Sequence, residues 1–147
     1  MKNKSSLIAG IAMVFILAVI PLMGCEAEFS FTTASLSEAT MTTAVDENMQ
    51  PLDTTDVFTT ATPKIFCTFK LSNAPPDTEI KAEWVYIEGE LDDVSNYSLD
   101  EWSTTTDGTR YISVSMTRPY DGWPKGDYKV ILYVDDEERL SVPFYVR

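Results

Sequence analysis

The chain has 147 residues, 44% hydrophobic and 12% aromatic, which is enough for one packed domain and argues against wholesale disorder. Its net charge of −12 repels phosphate backbones, so nucleic acid is disfavoured as a partner and solubility is the plain reading of the acid excess. There is no histidine, the commonest general base and transition-metal ligand, and only two cysteines, Cys25 and Cys67.

In chain order, Lys2 and Lys4 form a short basic start, and Leu7 to Met23 then runs for seventeen residues without a charge. With Gly10 and Pro21 inside it, that run is marginal for a bilayer span. A basic start, an apolar run and a small residue before a cut are the marks of a secretory signal.

The end of the run, Leu22-Met23-Gly24-Cys25, resembles the lipobox of bacterial lipoproteins, with Met23 standing where a smaller residue is more usual. The resemblance implies a lipid on the Cys25 thiol, cleavage before it, and acylation of the new amino terminus. Stable anchoring needs more than one acyl chain, because a single one binds membranes only marginally. The competing readings are an uncleaved signal anchor, or ordinary cleavage nearby that leaves a free thiol. Removing residues 1–24 takes away Lys2 and Lys4, leaving 9 basic against 23 acidic side chains, a net −14.

From Thr32 to Thr62 the chain is rich in Thr, Ala and Ser. Ala39, Met41, Thr43 and Val45 alternate as a first strand would, and Asp46 to Asp56, with Pro51, reads as a polar connection. A flexible tether is the alternative, against which Phe29, Phe31 and Leu36 argue for docking.

Beyond Pro63 the period of two is clear. Ile65, Cys67, Phe69 and Leu71 share one face; Ser72 to Thr78, with Pro75-Pro76, reads as a turn; Ile80, Ala82, Trp84 and Tyr86 share the next face. Tyr97, Leu99 and Trp102 suggest an edge strand, with Asp107-Gly108 as the turn out of it. Ile112, Val114 and Met116 follow, then Tyr128, Val130, Leu132 and Val134, a charged hairpin over Asp135 to Glu138, and Leu140, Val142, Phe144 and Val146. Short strands separated by turns predict an all-β antiparallel sandwich of about seven strands.

Cys67, Trp84 and Tyr128-Lys129-Val130 stand in the order of the immunoglobulin-like hallmarks, and Trp123-Pro124-Lys125-Gly126-Asp127-Tyr128 resembles the W-P-x-G-x-Y turn of many bacterial immunoglobulin-like surface domains. The resemblance runs from about Pro63 onward. It implies an immunoglobulin-like sandwich without the inter-sheet disulfide, since Val130 occupies the second cysteine position. Cys67 then becomes a small buried hydrophobe, Trp84 a core residue, and the Tyr128 hydroxyl a donor to backbone at the corner. The expected organisation is a signal over 1–24, a lipid-anchored Thr-rich tether with a first strand over 25–62, and the sandwich over 63–147.

For function, the missing histidine removes triads and Cys–His pairs. Asp92, Asp93, Asp100 and Glu101 leave room for a carboxylate-dependent hydrolase accessory, though such loop acids are far more often solvated surface. No enzyme activity, no cofactor and no metal site is expected. A binding or assembly module, secreted and lipid-held to the cell membrane or outer membrane, in the periplasm or on the cell surface, is the preferred reading. A structural spacer is the alternative. In the immunoglobulin-like arrangement, alternation sends Val85, Ile87, Ile131, Tyr133 and Tyr145 to the face away from the core, where they would form an apolar patch for a protein or envelope partner. The competing expectation is that residues 26–60 fold over that face and bury it.

Overall fold

The computed structural model describes residues 31–147. The signal and lipobox readings, including Cys25, lie outside the described residues. Six strands form one curled sheet: β1 (Ser35–Thr42), β2 (Val57–Phe58), β3 (Lys64–Gly89), β4 (Tyr97–Thr117), β5 (Gly126–Val134) and β6 (Glu137–Val146). The order is β1-β3-β5-β6-β2, with β4 on β3. All pairings are antiparallel except that β2 runs parallel to β6.

The organising feature is the β3–β4 hairpin, which is long enough to serve two layers. It pairs continuously from Lys64↔Thr117 to Tyr86↔Tyr97, but its register slips on both sides of Ala74, which faces Gly108. Extra residues in one strand bend it and increase its twist. Asn73 (φ 54°) and Asp77 (φ 63°) take the left-handed conformation that short polar side chains tolerate. The Asn73 N–H bonds the Thr109 hydroxyl at 3.1 Å, and the Thr78 hydroxyl donates to the Pro75 carbonyl at 2.7 Å.

Residues 72–78 and 107–108, expected as turns, are therefore bends inside long strands. Proline and glycine mark a bulge in the same letters as a turn, and both prolines sit where the ladder is already broken. On one side of the bend, β3 residues 64–71, paired with 110–117, also pair with β1. On the other, β3 residues 80–89, within the arm paired with 97–106, pair with β5, which continues the layer through β6 to β2. Counting the arms of β3 and β4 separately turns six strands into eight segments, seven of full length and the two-residue β2.

Between the layers lies the core. Ile65, Cys67, Phe69 and Leu71 from one face Ile80, Ala82, Trp84 and Tyr86 from the other, all essentially inaccessible to water. Phe144 is its hub: it stacks on Tyr128 at 5.0 Å and meets Trp84 and Phe58 edge-on at 5.8 Å each. Such ring pairs contribute about 0.5–1.5 kcal/mol each beyond their area. Residues 35–42 and 57–58 belong to the sheet, and Met41 and Phe58 are buried in its core. The β5–β6 hairpin closes over Asp135 and Asp136 alone, both with positive φ (49° and 64°), the pattern of a two-residue type I′ turn; Glu137 and Glu138 already lie in β6.

Candidate functional site

Two surfaces carry chemistry. The first is the outer face of the layer formed by the second arm of β3 with β5 and β6. Alternation places Val85, Ile87, Ile131, Tyr133 and Tyr145 opposite in parity to the core residues Trp84, Val130 and Phe144, and in register Lys81 faces Tyr133, Glu83 faces Ile131, and Val85 faces Lys129.

The expected exposed apolar patch is not what forms there. Val85 is 4% exposed and Ile131 9%, while Ile87, Tyr133 and Tyr145 are half-buried. Among the described residues, the strands of the N-terminal segment lie elsewhere, since β1 pairs with the other arm of β3 and β2 adds to the β6 edge. The apolar positions alternate across the strands with long charged side chains, whose methylene stems shield apolar neighbours while their heads stay in water.

Around Tyr133 this shielding is specific. Lys81 Nζ lies 4.4 Å from the Tyr133 ring centroid, the Tyr133 hydroxyl donates to Glu83 Oε2 at 3.0 Å, and Lys81 also meets Asp136 at 3.5 Å. Burial, reinforced by that hydrogen bond to Glu83, pushes the Tyr133 hydroxyl up to about 12. At the far edge Arg147 sits 5.0 Å from the Tyr145 ring while bonding Asp127 at 2.6 Å. Val57 of β2, which pairs with Tyr145, extends the face and is exposed; nothing in its Thr-rich surroundings signalled that a two-residue strand would add there.

The second surface is a cavity of about 420 Å³, which sequence reasoning missed. It opens where the two arms of β4 diverge, with Leu99 on one and Met116 on the other. Its floor is Tyr86 and Tyr128, which meet edge-on at 5.1 Å. The floor is rigid: the Tyr128 hydroxyl donates to the Pro124 carbonyl at 2.5 Å, and the Tyr86 hydroxyl accepts the Leu91 N–H at 3.1 Å. Trp123 beside them is buried, its indole N–H bonded to the Thr62 carbonyl at 2.7 Å. The Tyr128 hydroxyl is held well above its ordinary range, first by burial and then by Tyr86 and Glu90. At the rim stand Glu90, Leu91, Tyr120 and Asp121, with Tyr120 fully exposed.

The residues weighed for hydrolytic chemistry lie elsewhere. Asp92 and Asp93 occupy the connection after β3, Asp100 and Glu101 the outer strand β4, all exposed and none lining the cavity. Among the described residues no three of His, Cys, Asp or Glu come together in a group that would hold a metal ion. Cys67, inside the core, is free, and burial pushes its thiol up to about 12.

No protein-family model and no curated protein matches the chain. Among solved structures, it is similar to an immunoglobulin-like protein from Pseudomonas aeruginosa, with a TM-score of 0.55 at 13% identity, over 78% of this chain and 96% of that one. It is also similar to part of an alkylpurine DNA glycosylase from Pseudomonas fluorescens, solved bound to DNA containing an abasic site analogue, with a TM-score of 0.50 at 15% identity. That match covers 78% of this chain and 30% of the glycosylase. The fold is an immunoglobulin-like, all-β sandwich. At these identities the likeness concerns fold alone.

Proposed function

We propose that the protein is a lipid-anchored lipoprotein of the cell envelope whose immunoglobulin-like domain is a non-enzymatic binding or assembly module. The observation that carries the anchor is Leu22-Met23-Gly24-Cys25 following a charge-free run, directly ahead of a domain whose first strand begins at Ser35. The contact surface in this reading is the outer face around Tyr133, flanked by Ile87, Tyr145 and Val57. An aromatic ring held between Lys81 and Glu83 offers a partner an apolar anchor of the kind enriched at the centres of protein interfaces, with the charges beside it suited to the polar rim.

The test is mass spectrometry of the mature amino terminus together with affinity capture from native envelope. A diacylated, cut terminus at Cys25 supports the anchor; an unmodified cysteine or retained residues 1–24 overturns it. Tyr133→Ala should abolish capture of the partner while the domain stays folded. Unchanged capture retires this face as the contact surface, and no specific capture at all leaves the structural spacer as the better reading.

A further inference from the structure

We propose that the cavity between the two arms of β4 is a binding site for a small organic cation, an ammonium or quaternary ammonium group on an apolar body. Its volume of about 420 Å³ lies within the range of small-ligand pockets. The lining divides by chemistry. The inner part is apolar and aromatic, with Leu99 and Met116 on the walls and Tyr86 and Tyr128 beneath. On the floor the Tyr128 hydroxyl donates to the Pro124 carbonyl and the Tyr86 hydroxyl accepts from the Leu91 N–H, which holds both rings in place. The rim carries two carboxylates, Glu90 and Asp121, and the exposed ring of Tyr120; among the described residues no basic side chain lines the cavity.

A neutral apolar guest would leave the carboxylates unused, and an anion would be repelled by them and by the whole acidic chain. A cation with an apolar body satisfies both parts, its body continuing the core between Leu99 and Met116 and its head between the Tyr120 ring and the two acids. Because hydrogen bonds already hold the two floor tyrosines, binding need not order the floor. This site is separate from the Tyr133 face and does not depend on the anchor.

The experiment uses the full chain in non-ionic detergent and follows the Trp123 indole N–H signal by NMR. Choline, its uncharged carbon isostere 3,3-dimethylbutan-1-ol, and benzyltrimethylammonium are titrated in 0.3 M salt. The expected result is a saturable shift, tightest for benzyltrimethylammonium, with choline bound at least fivefold more tightly than its isostere. Glu90→Gln with Asp121→Asn should weaken binding at least fivefold. Glu137→Gln with Glu138→Gln, the same charge change at the opposite end of β5, should leave it unchanged. Shifts that fail to saturate, equal binding of the isostere, or an equal loss in the Glu137/Glu138 variant would each overturn the proposal.

Discussion

Tyr133 and Ile131 are two residues apart on β5 and share a face, yet their surroundings make them unequal. Tyr133 keeps its hydroxyl on Glu83 and its ring under Lys81, whereas Ile131 is 9% exposed between Glu83 and Ser141. Ile131→Ala removes a buried side chain and should cost about 3 kcal/mol, while Tyr133→Phe removes one hydrogen bond and should cost about 1 kcal/mol; urea unfolding of both variants checks the contrast. Asp53 shows a second residue-scale effect. Its carboxylate accepts hydrogen bonds from the Thr42 hydroxyl, the Thr43 N–H at 3.1 Å and the Thr43 hydroxyl at 3.0 Å, which lowers its pKa, the Thr42 bond contributing most. A carboxyl with a depressed folded pKa stabilises above its unfolded pKa, and that contribution disappears as pH falls through the folded value. Asp53→Asn should therefore be less stable than the parent at neutral pH, with the gap closing below about pH 4, the ordinary aspartate range. A gap independent of pH would show that the charge is not what matters at this site.

At the scale of elements, period-two alternation located both arms of β3, the second arm of β4, β5 and β6 with their inward faces, because core residues on a sheet must alternate. The alternation over Ala39 to Val45 overlaps only part of β1, which spans Ser35–Thr42, and Tyr97 and Trp102 of the first arm of β4 are exposed. Trp84 and Tyr128 fell inside as the hallmark order implied, and the Tyr128 hydroxyl bonds backbone at the corner. The breaks between strands were less legible. Pro75-Pro76 and Asp107-Gly108 read as loop closures, but the long-range pairing across β3 and β4, a tertiary property, carries the hairpin through both. Gly89 and Gly126 face each other where β3 ends and β5 begins, and their necessity could not be seen without that register. A Cβ on Gly126 would stand 2.4 Å from the Glu88 carbonyl oxygen and 2.9 Å from the Tyr86 ring; one on Gly89 would stand 2.2 Å from the Lys125 carbonyl oxygen. Backbone cannot yield as a flexible side chain does, so the strands must separate. Gly126→Ala should cost about 3 kcal/mol and disturb the Tyr86–Tyr128 floor, whereas Gly108→Ala, with open space around its Cβ, is limited to the strain of its φ of 73° and should cost about 1 kcal/mol. Thermal unfolding of the two variants orders them.

The outer face was half legible for a related reason: parity fixes which way a side chain points but not what its neighbours do once there. Lys81, Glu83 and Lys129 flank the apolar residues across the strands, and Val85 and Ile131 are buried among them. The cavity was not legible at all, since its lining comes from both arms of β4 and two separate loops. No spacing in the sequence connects Leu99 to Met116 or Leu91 to Tyr120.

For the whole molecule, the charge bears on the proposed anchor. A net −14 beyond residue 24 gives no polybasic second signal and is repelled by anionic headgroups, so in the proposed lipoprotein attachment falls to the acyl chains on Cys25. Each buried CH₂ contributes roughly 0.8 kcal/mol, so two or three acyl chains at Cys25 give an anchor that salt does not touch. The mature protein should stay with membranes through a wash in 1 M salt and leave them only in detergent. Cys25→Ser should remove the acyl chains and yield either released domain or uncut precursor, which the mass of the amino terminus tells apart. Release of the unaltered protein by salt would mean that a charged partner, and not lipid, holds it. Retention of a cleaved Cys25→Ser chain would mean that the domain itself, through the Tyr133 face or the cavity, supplies the attachment.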